Sequence, residues 1–187
     1  MKFSASKFAT TFLLLIISFS TLAQKRPSTK PFHDVVAQHR QIFDNSCIPM
    51  SIELVLKYHN KVSPDFYDLQ KQWQNKLDGT FSNFDGKTIR GLKFKRQFDM
   101  PRGDSFPFNK LFSTIDNELK AGRKVIVSLP SGGGMWHMYV IDRKIEGGDY
   151  LAYSRANNMN THLTLEYIKR WIFGVKGTDI MTYSIVN

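Results

Sequence analysis

The stretch QIFDNSCIPMSIELVLKYHN, residues 41–60, carries the chain's single cysteine, Cys47, at the head of an apolar stripe. Ser46 or Asn45 is placed to cap a helix, and Pro49 suits its first turn. Ile48, Ile52, Val55 and Leu56 follow at helical spacing, so Ser46 to Asn60 is expected to form an amphipathic helix. A thiol in the first turn of a helix meets unpaired main-chain N–H groups and the positive end of the helix dipole. Both favour a thiolate, so the position predicts a reactive thiol.

Downstream, Ser63-Pro64-Asp65 sets cap, proline and acid in order for a second helix, with Phe66, Leu69, Trp73 and Leu77 at helical spacing. From Asp78 to Phe106 the periodicity is poor, and loops bordering a cleft are expected, with a short helix near Thr88 to Leu92. A third helix is expected from Phe108 to Ala121 on the stripe Leu111, Phe112, Ile115 and Leu119, stopped by Gly122. Lys124 to Leu129 reads as a strand, Pro130 to Gly134 as a flexible loop, and Trp136 to Lys144 as a strand. A hairpin turn at Glu146 to Asp149 leads to its partner, Tyr150 to Ser154. A helix near Leu163 to Phe173 and a strand near Asp179 to Val186 complete the chain. Helices first and strands second give an α+β class, with N-terminal helices packed on a C-terminal antiparallel sheet.

Upstream, residues 1–23 have the layout of a secretory signal. Lys2 and Lys7 precede an apolar run from Phe8 to Ser20, and Thr21-Leu22-Ala23 offers a cleavage site before Gln24. The run is short for a bilayer span. The polar, proline-containing residues 24–36 read as a flexible lead-in, and 37–187 as one domain. Loss of Lys2 and Lys7 takes the net charge from +10 to +8. An exported, basic protein is expected in the periplasm or the medium, near anionic surfaces or polymers rather than bound to a specific nucleic acid. Export usually brings disulfides, and a lone thiol has no partner within the chain, so chemistry or burial must account for it.

A thiol hydrolase also needs a histidine to take and return a proton, a group to orient that histidine, and donors for an oxyanion. His137 lies in the expected strand Trp136-His137-Met138-Tyr139-Val140-Ile141. The Cys47 main-chain N–H is one candidate donor and the Gln41 side-chain amide another. The other histidines (His33, His39, His59 and His162) show no metal-ligand spacing, so neither a metal nor a cofactor is expected. Gly132-Gly133-Gly134 lacks the lysine and helix of a phosphate loop.

These segments resemble papain-like cysteine peptidases, and among them the bacteriocin-processing family that cleaves double-glycine leaders. Gln41 stands six residues before Cys47, Pro49 holds the place of the family proline, and Leu56-Lys57-Tyr58-His59 is similar to the helix end. Ala121 to Val127 resembles the strand before the histidine, His137 to Ile141 the histidine strand, and Leu163 to Trp171 the late helix with its tryptophan. The resemblance implies a papain-like domain in which Cys47 is the nucleophile, His137 the base, and Gln41 an oxyanion donor. Two positions depart from the family pattern. Ile48 stands where a glycine usually follows the cysteine. The usual orienting aspartate is replaced by Ser154-Arg155-Ala156-Asn157-Asn158. Asparagine fills that role in papain-like enzymes, so Asn157 is the candidate, Asn158 the alternative, and Ser154 the choice if the register is shorter. The implied activity is hydrolysis of a peptide or amide bond through a thioester, or transfer if an amine replaces water. The alternatives are a non-catalytic domain that binds an anionic partner and a secreted effector of the same fold.

Overall fold

A computed structural model describes residues 30–132, 134–157 and 161–186. The expected signal residues and Asn158 lie outside them. Among the described residues, seven strands form one antiparallel sheet in the order β1-β2-β7-β3-β4-β5-β6. They are β1 (Thr88–Ile89), β2 (Leu92–Gln97), β3 (Val125–Gly132), β4 (Met135–Lys144), β5 (Tyr150–Ser154), β6 (Leu163–Leu165) and β7 (Ile180–Ile185). Five helices accompany them: α1 (Phe32–Ala37), α2 (Cys47–Tyr58), α3 (Asp68–Trp73), α4 (Phe108–Lys120) and α5 (Ile168–Gly174). The chain is thus a mixed α+β fold with helices packed against an antiparallel sheet.

Alternation along the strands divides the core in two. On one face Met138 and Val140 of β4, with Leu151 and Tyr153 of β5, pack with α1 and α2. On the other face Ile141 of β4 and Ala152 of β5 pack with Leu111 and Ile115 of α4 and with Ile168 and Ile172 of α5. The expected amphipathic helix is instead buried all round, from Ile48 to Lys57. The sheet covers one side of α2, and α1 and α3 lie against the rest. Each fully buried leucine or isoleucine of α2 contributes about 1.5–3 kcal/mol.

Residues 32–36 belong to the folded domain rather than to the lead-in, because Phe32, Val35 and Val36 are buried in the core. The second helix keeps only Asp68–Trp73, and Leu77 is exposed. Where a short helix is expected near Thr88, β1 and β2 form a hairpin. Arg90 and Gly91 have φ of 49° and 79° between the paired Ile89 and Leu92, the backbone that a two-residue turn of matching twist requires. The glycine-rich segment is not an open loop either. β3 runs on to Gly132, which pairs with Met135 across a register shift; Gly133 is outside the described residues. The expected late helix divides into β6 and the shorter α5.

Candidate active site

Cys47 is the first residue of α2, in the first turn as expected, and is half-buried; Ser46 stands at the N-cap, but its side chain makes no cap hydrogen bond. It packs against the core face that holds Met138. Main-chain N–H groups near the sulfur favour its thiolate form, that of Met138 first, then those of Ile48 and Cys47 itself. The Met138 N–H belongs to the peptide that joins it to His137, so the sulfur lies against the main chain of the histidine strand. Burial pushes the thiol pKa up, and this outweighs the N–H groups that pull it down. The reactive thiolate expected from helix position is therefore not the resting species; a thiol is.

His137 shares the β4 face that carries Tyr139, and the two rings meet edge to face at 5.3 Å. Its Nε2 lies 2.8 Å from Ser154 Oγ. The Ser154 hydroxyl donates to the Met138 carbonyl at 2.6 Å. Having given its proton there, Ser154 accepts from the ring, which fixes Nε2 as the protonated nitrogen and leaves Nδ1 as the basic one. Burial lowers the His137 pKa to about 4, against the Arg155 carbonyl, which raises it. The imidazole is neutral at pH 7.

The other expected members are placed differently. Asn157 is exposed and its amide donates to Asp44 Oδ1 at 2.7 Å, so it ties the end of β5 to the loop before Cys47. Ser154 occupies the orienting position on the ring. Gln41 is buried, and its Nε2 donates to the Phe43 and Asp44 carbonyls at 2.8 Å each. Residues 43–46 turn back tightly, with the Ser46 N–H on the Phe43 carbonyl, and that turn brings both carbonyls onto the amide. The Gln41 amide thus braces the loop rather than standing free as an oxyanion donor. Its Oε1 is buried without a partner among the described residues. The N–H groups at the thiol are that of Met138 in β4 and those of Cys47 and Ile48 in the first turn of α2.

Sequence reasoning missed a buried polar network beneath the thiol. Glu53, fully buried in α2, accepts from the Leu69 and Gln70 N–H groups at 3.0 and 3.1 Å and from Gln70 Nε2 at 2.7 Å. Gln70 Oε1 accepts from the Ile42 N–H at 2.9 Å and from Ser46 Oγ at 2.8 Å. The network therefore fixes α3 and the Ile42–Ser46 turn to α2 immediately before Cys47. His39 lies between Lys57 Nζ, 2.8 Å from Nδ1, and Glu53 Oε2, 3.4 Å from Nε2. The one available signal is a glutamate and a lysine inside a helix whose other residues, Ser51 and Tyr58 apart, are apolar.

A cleft of about 550 Å³ is lined by Ile48 and Met138, the residues that follow Cys47 and His137 in the chain, together with Phe81, Phe98, Met100 and Trp136; Cys47 and His137 themselves do not line it. Ile48, directly after Cys47, is thus a wall of this cleft. Among the described residues no group of three or more His, Cys, Asp or Glu is gathered to hold a metal, and no helix is long and apolar enough to cross a membrane. No protein-family model and no curated protein matches the chain.

Proposed function

We propose that the protein is an exported, papain-like cysteine hydrolase that cleaves a peptide or amide bond. The observation that carries this reading is the position of Cys47: at the head of α2, with its sulfur on the Met138 N–H, next in the chain to a histidine whose ring is held by Ser154. Raised thiol and lowered imidazole pKa values favour a neutral pair over a resting thiolate–imidazolium pair. Cys47 Sγ attacks the carbonyl carbon and its proton passes to His137 Nδ1. Main-chain N–H groups at the start of α2 hold the oxyanion. The intermediate collapses to a thioester as the amine leaves with the proton from His137. Water then attacks the thioester, His137 takes its proton, and the acid and the thiol are restored.

The test is hydrolysis of a mixed peptide library by the full protein, followed by mass spectrometry. Cleavage that disappears in Cys47→Ala and in His137→Ala supports the reading; cleavage that persists in Cys47→Ala removes it.

A second reading, a non-catalytic domain that binds an anionic partner, is favoured by the engagement of the Gln41 amide with the 43–44 loop. It predicts binding to an acidic polymer that falls with salt and is unchanged in Cys47→Ser.

A further inference from the structure

The charges around the cleft lined by Ile48 and Met138 are unequally paired. Two arginines and two aspartates line it: Arg96, Arg102, Asp99 and Asp179. Both carboxylates belong to Arg96, which reaches Asp179 Oδ2 at 2.8 Å and Asp99 Oδ2 at 2.6 Å. Arg102 has no carboxylate partner among the described residues. Its guanidinium lies over the Trp136 ring, 3.7 Å from the centroid, and Trp136 directly precedes His137.

A guanidinium stacked on an indole is held by its face and keeps the N–H groups of its edge free. That edge matches a carboxylate, which it binds through two parallel hydrogen bonds. The loop that presents Arg102 is braced at both ends. Phe98 is buried, and the Gly103 N–H donates to the Lys176 carbonyl at 2.8 Å. Pro101 stiffens the residue before it. Behind the arginine the wall is apolar: Ile48, Phe81, Phe98, Met100 and Met138. The volume, about 550 Å³, takes one large side chain with the adjoining main chain.

We propose that this cleft selects peptides in which a large apolar residue is followed by a carboxylate, with the apolar side chain against Ile48 and Met138 and the carboxylate on Arg102. As a statement of substrate class this rests on the hydrolase reading, but the binding it predicts does not need turnover. The probes are fluorescein-labelled blocked peptides with Leu-Glu, Leu-Gln or Leu-Lys at the centre, titrated by anisotropy into the full protein carrying Cys47→Ala. The Leu-Glu peptide is expected to bind about tenfold tighter than Leu-Lys, with Leu-Gln between, as one paired carboxylate supplies. Arg102→Gln is expected to abolish the preference, and circular dichroism confirms that the variant folds. Equal binding of the three peptides, no binding of any, or a preference that survives Arg102→Gln overturns the proposal. If wild-type protein cleaves peptides through Cys47 without regard to the acidic residue, the hydrolase reading stands and this inference falls. If Arg102-dependent binding is found without cleavage, the reverse holds.

Discussion

The ring of His137 is held by Ser154, at 2.8 Å, and not by Asn157, which bonds Asp44 instead. Ser154 in turn is fixed by the Met138 carbonyl, so one hydroxyl ties the histidine to the strand residue whose N–H meets the thiol. Ser154→Ala is expected to lower kcat by about 10–100-fold with little change in KM, since it frees the ring without touching the cleft. The loss of stability should be about 1–2 kcal/mol. A rise in KM with kcat intact, measured on the best library peptide, would contradict a positioning role.

Asn157 serves the loop before Cys47 through Asp44, at an exposed position. Asn157→Ala and Asp44→Ala should each cost less than about 1 kcal/mol and leave the His137 pH profile in place. A loss of activity as large as that of Ser154→Ala would return Asn157 to the histidine.

Glu53 is buried in α2 and is the acceptor for two N–H groups and for Gln70. Glu53→Ala leaves those donors and the Lys57–His39 pair without their anion, and is expected to cost about 3–5 kcal/mol. Urea unfolding measures it. A cost below about 1 kcal/mol would show that the network does not hold the Ile42–Ser46 turn.

His39 and His59 are both buried, and burial lowers each from 6.5 to about 4. For His39 the nearby Lys57 adds to this and Glu53 opposes it; for His59, Lys61, Lys124 and Arg123 add to it. The unfolded chain binds more protons than the folded one between these values, so stability is full above pH 6.5 and is lost as pH falls towards 4. Each unit of difference is worth about 1.4 kcal/mol. Urea midpoints should fall steadily between pH 7 and 4.5, and replacing His59 by Gln should flatten the fall. A flat profile in the wild type would contradict neutral burial of both rings.

Strongly periodic elements were legible in the sequence. α4 and the strands β3, β4, β5 and β7 lie where the stripes and alternation put them, and Cys47 lies in the first turn of α2 as expected. Other features were not. The β1–β2 hairpin turns on Arg90-Gly91 rather than on an Asn-Gly signal, and the spacing of Ile89 and Leu92 imitates a helix. The extent of α2's burial depends on α1 and α3, which carry weak patterns of their own. The roles of Gln41 and Asn157 depend on where the 42–46 turn folds, and Gln70, far along the chain, decides that. Helix position alone argued for a thiolate; the desolvation that reverses it comes from tertiary packing.

The pH dependence of covalent labelling of Cys47 by a peptidyl vinyl sulfone, in wild type and in His137→Ala, tests the account most directly. With a neutral thiol and a neutral base, the wild-type rate should rise as His137 loses its proton near pH 4 and stay level to about pH 8. The His137→Ala rate should lack that plateau and rise only as the thiol itself ionises, above its ordinary 9.0. Superimposable profiles for the two proteins would mean that His137 does not take the Cys47 proton.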